Sequence, residues 1–280
     1  MIKAKGNIVK NDSLTLVIPV YNEENTIENV LTDWHHRLKK WDIPHDIIVI
    51  NDGSTDNTNE ILNNLSTQWD FLHTYQQNNS GHGAAIKYGY SLACQFNNDF
   101  IFQTDSDHQF TPADFIQFWN DRKEHQAIFG IRYDRQDPPM RKIITGLLHK
   151  IIFDIYNIDI PDANIPYRLF HKTHLRNLLA VIPTGAFAPN IFLSILCFKS
   201  PDIKTKSIPV KHFDRPSGEA KLIRLGLLKA CFQSFFEVFK FSYTLNEKLE
   251  FMNSKNEQDQ YFIEREKMKK NEEKAHLKIA

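Results

Sequence analysis

Apolar segments of strand length alternate with segments of helical pattern through the first half of the chain, and this alternation limits the folds open to it. The segments LTLVIPV (14–20) and HDIIVIND (45–52) are continuous apolar runs with the length of buried strands. Between them, residues 25–38 carry apolar side chains at helical spacing. Two buried strands joined by a helix predict a right-handed βαβ unit with parallel strands.

The same alternation continues to about residue 132. Further strands are predicted at FLHTYQQ (71–77), DFIFQTD (99–105) and QAIFGIR (126–132), with helices after GSTDNT and over residues 81–96. The predicted fold class is therefore α/β, a Rossmann-like and mostly parallel sheet flanked by helices.

Polar residues follow three of the predicted strands at the point where each strand ends. These are Tyr21-Asn22-Glu23, Asn51-Asp52-Gly53 and Asp105-Ser106-Asp107. Ligands of such sheets bind at the carboxyl ends of the strands, so we expect the three groups to form one site. Two carboxylates one residue apart repel each other, which indicates a cation at Asp105 and Asp107.

Four motifs carry a family resemblance: VIPVYNEENTI, DIIVINDGSTDNT, NNSGHGAAIKYG and FQTDSDHQFTP. Their order and spacing resemble the inverting family 2 glycosyltransferases, which have the GT-A fold, and the dolichol-phosphate mannose synthase-like branch is the most similar. Residues 162–175 and 208–222 resemble the later motifs of that branch. The resemblance implies a GT-A catalytic domain over residues 1–222, followed by an amphipathic helix and charged helical tail over 223–280.

For the donor, the resemblance implies a UDP- or GDP-sugar. The residues that match the family's nucleotide-binding positions are Pro19, Tyr21, Glu23, Asp52, Gly53, Gly81, Lys87 and Asp105. Asp52 could instead be a turn or cap residue and Tyr21 a packed aromatic. Lys87 could equally be a solvated helix residue.

For the cation, the resemblance implies Mg²⁺ or Mn²⁺ held by Asp105, Asp107 and Gln109, with Asp107 as the direct ligand and Asp105 facing the nucleotide or sugar. Hard cations prefer such oxygen ligands and share them with substrate phosphates. Phe110 stands where the family often has histidine, which leaves the choice of metal open.

Five arginines are expected on the acceptor side: Arg132, Arg135, Arg141, Arg168 and Arg215. Guanidinium groups bind phosphate well, so they favour an anionic acceptor such as a polyprenyl phosphate, although each alone could be a surface ion pair. Asn190 lies about where sugar-extending relatives place an acid, and an amide cannot take a proton. Transfer to a glycan hydroxyl and non-catalytic nucleotide-sugar binding remain the alternatives.

Two segments, residues 140–157 and 222–241, are predicted to form amphipathic helices. They fit helices that lie at a membrane surface, or helices that pack on the sheet or on a second subunit as in a homo-oligomer. The segment from Asn246 onward is charged and is expected to be a solvated or frayed helix.

The composition sets the remaining expectations. Lys+Arg and Asp+Glu both total 34, so no excess of positive charge indicates a nucleic-acid partner. Cys94, Cys197 and Cys231 are far apart, which favours a reducing compartment. The N-terminus lacks an apolar signal region and no apolar run has the length of a spanning helix. We therefore expect a cytoplasmic protein, peripheral on the inner face of the plasma membrane if the amphipathic helices meet lipid.

Overall fold

A seven-stranded sheet with helices on both faces forms the described part of the chain, residues 12–133, 139–213 and 225–255 of a computed structural model. Its strands are β1 (Leu14–Val20), β2 (His45–Asn51), β3 (Leu72–Gln76), β4 (Phe100–Gln103), β5 (Ala127–Tyr133), β6 (Arg168–His171) and β7 (Thr205–Lys211). The helices are α1 (Ile27–Lys40), α2 (Thr58–Ser66), α3 (His82–Ala93), α4 (Phe115–Asp121), α5 (Pro139–Tyr156), α6 (Lys172–Val181), α7 (Pro189–Lys199) and α8 (Leu225–Ser242). Residues 245–255 are also helical.

The strand order is β3-β2-β1-β4-β6-β5-β7, and six of these seven strands run in the same direction. β6 is antiparallel to both of its neighbours, β4 and β5. The five strands expected from the apolar runs are all present, and the expected α/β fold class is confirmed. The sequence did not predict β6, a four-residue strand too short to show a period.

The sheet buries an apolar core on each face. Along β1, Leu16 and Ile18 belong to the core beneath α1, α2 and α4, whereas Val17 belongs to the core beneath α3 and α5 to α8. This alternation follows from the two-residue period of a strand, and it explains why the central strands read as unbroken apolar runs. The core therefore fixes both layers of helices against one sheet.

Glycine lets one helix approach the sheet closely. A Cβ at Gly89 of α3 would lie 2.5 Å from Cγ1 of Val17 and 3.1 Å from Cγ1 of Ile50. Because such distances are shorter than van der Waals contact allows, only glycine permits this packing. The close approach sets the position of the N-terminus of α3 at the edge where β1, β2 and β4 end.

The two predicted amphipathic segments are helices α5 and α8, and they pack on each other and on α7. Tyr156 of α5 donates its hydroxyl proton to the carbonyl of Val238 in α8, and both side chains are buried. In the described part of the chain, no helix is both long enough and apolar enough to traverse a bilayer. The expected boundary at residues 222/223 falls outside the described residues and stays a prediction.

Candidate active site

The carboxyl ends of β1, β2 and β4 bring the three predicted polar groups to one edge of the sheet. The register pairs Val20 of β1 with Asn51 of β2, and Val17 of β1 with Gln103 of β4. The residues that follow these strands therefore converge, as parallel strands in register require.

Two cavities meet at this edge and share three lining residues: His82, Asp105 and Asp107. The strand-end pocket has a volume of about 370 Å³ and is further lined by residues after β1 and β2, including Pro19, Tyr21, Glu23, Asp52 and Gly81. The helix-lined pocket has a volume of about 390 Å³ and is further lined by Gln109, Arg132 and residues of α5, α7 and α8. A molecule in one pocket can thus react with a molecule in the other beside the paired carboxylates.

The Asp105–Asp107 loop is shaped by a left-handed residue. His108 has φ +62°, and the backbone N–H of Gln109 donates to Oδ1 of Asp107 at 3.1 Å. This short-range hydrogen bond folds the loop back so that both carboxylates line the two cavities. The side-chain amide of Gln109 donates to the carbonyl of Phe213 at 3.1 Å, which holds it beside Asp107.

Asp105 lies in an environment that disfavours its charge. Burial and, to a smaller extent, the charge of Asp107 raise its pKa to about 6, against the opposing charges of His82, Arg132 and Arg168. Its Oδ1 atom is buried without a hydrogen bond, although Nε2 of His82 lies 3.5 Å away and 23% of the side chain is exposed. A buried carboxylate oxygen without a hydrogen bond, close to a second carboxylate, fits a cation.

Protein side chains alone do not complete a metal site here. Among the described residues, no group of three or more His, Cys, Asp and Glu side chains is placed to hold a metal ion. Asp105, Asp107 and the side-chain oxygen of Gln109 would supply part of a coordination shell. The rest would have to come from water or substrate oxygens, as is common for Mg²⁺.

Asp52 is buried and bonded to the loop that precedes α3. Its Oδ1 accepts from Nε2 of Gln77 at 2.7 Å and from the backbone N–H of Ser80 at 2.9 Å, and its Oδ2 accepts from the backbone N–H of Gly81 at 2.9 Å. Asp52 is not the cap or turn residue of NDGSTD, because the hydrogen bonds of that turn are accepted by the side chains of Asn51 and Asp56. Asp52 lines the strand-end pocket while fixing the loop on its far side.

The loop after β1 is held by buried hydrogen bonds. Oε2 of Glu23 accepts from the hydroxyl of Thr26 at 2.7 Å, and the same hydroxyl lies 3.3 Å from the carbonyl of Ser106. Tyr21 is 43% exposed and lines the strand-end pocket, so it is not a packed core aromatic. Its exposed ring is available to a ligand in that pocket.

Two glycines near the strand-end pocket have backbone conformations that other residues rarely adopt. Gly53 has φ +72°, and a Cβ there would lie 2.7 Å from the backbone nitrogen of Asn79, so Gly53 packs the loop rather than lining the pocket. Gly81 has φ +91° and lines the pocket directly, as expected from its position before α3. Both positions need glycine for the backbone.

Arg132 lies in the wall of the helix-lined pocket. Its Nε and Nη2 atoms donate to the two carboxylate oxygens of Asp162 at 2.6 and 2.8 Å, a bidentate pair. The Asp162 side chain is only 3% exposed and that of Arg132 is 13% exposed. The pair therefore holds the guanidinium in the wall of the cavity with little of it exposed.

Arg168 occupies a different place from the one we expected. Its side chain is fully buried, and its guanidinium donates to the backbone carbonyls of Ile165 and Asn190, at 2.8 Å for Nε and 2.9 Å for Nη1. Burial lowers its pKa. An arginine whose donors face backbone carbonyls beneath the pocket has no free edge for an acceptor phosphate. The expected direct contact between Arg168 and the acceptor phosphate is therefore wrong. Arg168 instead supports the segment that carries Asp162.

Lys87 is the remaining expected cation whose side chain is described, and it lines neither pocket. Lys87 donates to the carbonyl of Pro183 at 3.3 Å, away from the strand-end pocket, and burial lowers its pKa. Arg215 and Arg135 lie outside the described residues, as does the side chain of Arg141. Their expected role at an acceptor phosphate stays a prediction.

Sequence reasoning missed two histidines of this site. His82 is the first residue of α3 and its side chain is 59% exposed between the two pockets. His212 follows β7, pairs with Phe110 through a backbone bridge and lines the helix-lined pocket. The strand-end rule that identified Asp105 would have found His212 had β7 been predicted.

A family model described as Glycosyl transferase family 2 matches residues 15–179, more than half of the chain, including β1 to β6 and both aspartates of the loop. The chain belongs to glycosyl transferase family 2. The expected resemblance is confirmed, and the matched segment forms a glycosyltransferase domain whose polar residues meet at the edge described above.

Relatives of this family 2 chain include transferases named for a lipid phosphate. The undecaprenyl-phosphate 4-deoxy-4-formamido-L-arabinose transferase of Pseudomonas fluorescens (strain Pf0-1) is 25% identical over 222 residues, covering 78% of this chain and 63% of that protein. The same-named protein of Yersinia pestis (strain Pestoides F) is 26% identical, covering 76% and 64%. The chain thus spans less than two thirds of the length of these relatives.

Solved structures show the same fold. Glucosyl-3-phosphoglycerate synthase from Mycobacterium tuberculosis, in complex with Mn²⁺, uridine diphosphate and phosphoglyceric acid, superposes with a TM-score of 0.61 at 18% identity, covering 83% of this chain and 79% of that one. Mannosyl-3-phosphoglycerate synthase from Rubrobacter xylanophilus gives a TM-score of 0.59 at 15% identity, covering 81% and 72%. The family 2 chain therefore has the GT-A fold, with a helical C-terminal part.

Proposed function

We propose that this chain transfers a sugar from a nucleotide-sugar to a polyprenyl phosphate, with inversion at the anomeric carbon. One observation carries the proposal: two cavities of different character meet at Asp105 and Asp107. The strand-end pocket suits a donor nucleotide and the helix-lined pocket suits a lipid phosphate. Their junction is where the transferred sugar would lie.

The donor assignment rests on the groups in the strand-end pocket. Tyr21 offers an exposed ring for a nucleobase. Asp52 and Glu23 offer carboxylates, which accept hydrogen bonds from ribose hydroxyls or a base edge. The pocket leads to Asp105 and Asp107, beside which the diphosphate would be placed.

The paired carboxylates fit Mg²⁺ or Mn²⁺ by their chemistry. Asp107, Asp105 and Gln109 would hold the ion, and donor phosphate oxygens would complete its shell. When bound, the cation supplies positive charge that stabilises the departing nucleoside diphosphate. His82 lies on the same path and can donate a hydrogen bond to a phosphate oxygen.

The acceptor assignment rests on the lining of the helix-lined pocket. Its lining combines apolar side chains, among them Ile144, Leu148, Ile191 and Phe235, with Arg132, His212 and the paired carboxylates. A largely apolar pocket that also carries a guanidinium suits a lipid whose head is a phosphate.

No carboxylate among the described residues of the same pocket is left to act as a general base, because Asp105 and Asp107 are assigned to the cation. The carboxylate of Asp162 is paired with Arg132, and Asn190 is an amide. A phosphate oxygen is already ionised and can attack the anomeric carbon directly. The bond from that carbon to the donor diphosphate breaks, its electron pair leaves with the diphosphate, and no proton has to move. A hydroxyl acceptor would need a base, which among the described lining residues would have to be one of the imidazoles of His82, His149 and His212.

The relatives named for undecaprenyl phosphate support this acceptor class. The experiment that tests it supplies Mg²⁺ or Mn²⁺, a panel of UDP- and GDP-sugars, and either a short-chain polyprenyl phosphate or the matching polyprenol. We expect transfer to the phosphate only. Transfer to the polyprenol hydroxyl but not to the phosphate would overturn the proposed acceptor class. Donor binding without transfer or hydrolysis would indicate a non-catalytic binder.

A further inference from the structure

A half-exposed phenylalanine lies in the wall of the helix-lined pocket. Phe187 is part of the segment between α6 and α7, residues 182–188, which we call the α6–α7 loop. It is 47% exposed and lines the same cavity as His82 and the paired carboxylates. A large aromatic residue that lines a cavity without being buried in the core offers its ring to a ligand.

The α6–α7 loop begins with a tight turn that a side chain of α3 holds in place. The backbone N–H of Ala186 donates to the carbonyl of Pro183 at 3.2 Å, and Gly185 has φ +75°. A positive φ at the third residue of a four-residue turn is typical of type II and favours glycine there. Nζ of Lys87 donates to the same carbonyl of Pro183 at 3.3 Å. The lysine that was expected near the donor phosphates therefore holds this turn instead.

The backbone of Phe187 is fixed from two sides. Its N–H donates to Oε2 of Glu237 in α8 at 3.0 Å, and Oε1 of Glu237 accepts from Nε2 of Gln233 at 2.8 Å. Its carbonyl oxygen lies so close to α3 that a Cβ at Gly83 would be 2.1 Å from it, so only glycine permits the contact. Because Gly83 directly follows His82, Phe187 is anchored beside the junction of the two pockets.

Two occupants of the pocket could meet this ring, a lipid chain or a sugar. A polyprenyl chain is flexible and needs apolar contact only, which Ile144, Leu148 and Ile191 supply in the same pocket. A sugar ring has C–H groups on its faces, and their small positive charge is attracted to the negative face of an aromatic ring. That attraction orients the sugar only if the aromatic ring is itself held in place. The anchored backbone of Phe187, beside the junction, fits the sugar better.

We propose that Phe187 stacks on the transferred sugar and determines which sugars the site accepts. The proposal rests on the proposed function, which puts that sugar at the junction beside Asp105 and Asp107. A sugar with C–H groups on the stacked face is favoured, whereas an epimer that turns a hydroxyl toward the ring loses hydrogen bonds to water without replacement. Phe187 is thus a specificity residue, and no bond forms or breaks at its side chain.

The backbone anchors allow the side chain to be tested by itself. The N–H and the carbonyl of residue 187 remain in every variant, and Phe187 belongs to neither core, so Phe187→Leu and Phe187→Tyr should fold like wild type. Leucine keeps an apolar side chain and loses the planar ring, whereas tyrosine keeps the ring. Tyr88→Leu is the matched control, because it removes an exposed aromatic residue of α3 that lines neither pocket.

Calorimetric titration compares a nucleotide-sugar with the nucleoside diphosphate that it would release. The probe is the member of a panel of UDP- and GDP-sugars, supplied with Mn²⁺, that wild type binds most tightly. We expect Phe187→Leu to weaken binding of this probe about tenfold, the usual worth of an aromatic stacking contact, and to bind the matching diphosphate like wild type. Phe187→Tyr and Tyr88→Leu should bind both ligands like wild type. Unchanged probe affinity in Phe187→Leu, or an equal loss for both ligands, would overturn the proposal.

Steady-state kinetics with a short-chain polyprenyl phosphate in detergent separates the possible failures. Phe187→Leu should lower kcat/KM about tenfold for the preferred sugar and less for the other sugars of the panel, and it should keep the acceptor KM of wild type. A raised acceptor KM with unchanged donor affinity would assign Phe187 to the lipid chain, which overturns this inference and leaves the proposed function standing. If wild type binds no nucleotide-sugar of the panel, the proposed function itself fails, and this inference fails with it.

Discussion

Nε2 of His82 lies 3.5 Å from Oδ1 of Asp105, at the junction of the two pockets. The histidine begins α3, whose position is set by Gly89 against the sheet. On the proposed function, His82 is placed to contact the donor diphosphate as it departs. We expect His82→Ala to lower kcat by about a hundred- to a thousandfold, the usual cost of removing one positioned hydrogen-bond donor in a transition state.

The matched control for His82 is His108→Asn. His108 lies in the loop of Asp105 and Asp107, but its imidazole pairs with Asp33 outside both pockets, and Asn tolerates its left-handed backbone. Steady-state kinetics should show kcat near wild type for the control. Equal losses in the two variants would mean that loop disturbance, and not a role at the diphosphate, explains the effect.

The second prediction concerns the cation. Asp107→Asn keeps the shape of the side chain and removes the charge, so it should weaken Mn²⁺ binding in the presence of a nucleoside diphosphate by about tenfold or more and abolish most transfer. Calorimetric titration with Mn²⁺ measures the binding apart from turnover. Undiminished Mn²⁺ affinity, or full wild-type activity with excess chelator, would contradict the metal role.

The third prediction separates stability from donor binding at Asp52. Because its carboxylate accepts three hydrogen bonds from the loop before α3, Asp52→Ala should lower the free energy of unfolding by about 2 to 3 kcal/mol. Asp52→Asn retains one acceptor oxygen and should lose less. Chemical denaturation measures stability, and calorimetry with a nucleoside diphosphate measures affinity. If the folded Asp52→Ala protein keeps its affinity for the nucleoside diphosphate, Asp52 only anchors the loop and does not bind the donor.

The fourth prediction distinguishes two arginines that the sequence grouped together. Arg168→Met should lower the free energy of unfolding by about 3 to 5 kcal/mol, because buried carbonyls lose their donors. Arg132→Gln/Asp162→Asn removes both charges of an ion pair and should cost less stability. If Arg132 contacts the acceptor phosphate, the double variant should raise the acceptor KM about tenfold with little change in donor affinity. A rise in donor Kd instead would assign Arg132 to the donor diphosphate.

The contrast between these arginines shows what the sequence could predict and what it could not. The strands and the edge occupied by Asp105 followed from apolar runs, because buried strands and their ends have a local pattern. Arg168 begins a strand of four residues, where no pattern tells which side of the sheet the side chain faces. Its burial depends on the carbonyls of Ile165 and Asn190, and no local sequence pattern predicts that these carbonyls meet the guanidinium. The bonds of Asp52 likewise depend on a loop that only the folded chain brings near.

The last prediction concerns pH and a pair of histidines far from the site. Nδ1 of His35 lies 3.1 Å from Nε2 of His45, and the ring of His35 stacks on Phe71 with centroids 4.0 Å apart. Burial lowers the pKa of both histidines from 6.5, and the charge of His45 lowers that of His35 further. The unfolded chain therefore binds more protons than the native protein as the pH falls below 6.5. Stability from this pair is fully present above that pH, is lost as the pH falls toward the lowered native pKa, and then levels off.

Removing one imidazole tests this sign. Because His45→Gln no longer titrates at position 45 and places no positive charge beside His35, its unfolding free energy should fall less steeply than that of wild type between pH 6.5 and 5. The slopes can differ by up to about 1.4 kcal/mol per pH unit for each proton no longer taken up on unfolding. Burial also lowers the pKa of His171, but that contribution is common to both proteins and cancels in the difference. Denaturation curves at each pH give the unfolding free energies of the two proteins. Plotted against pH, these energies should run parallel above pH 7.5 and converge in acid. Plots that stay parallel throughout would show that the pair does not couple folding to protonation.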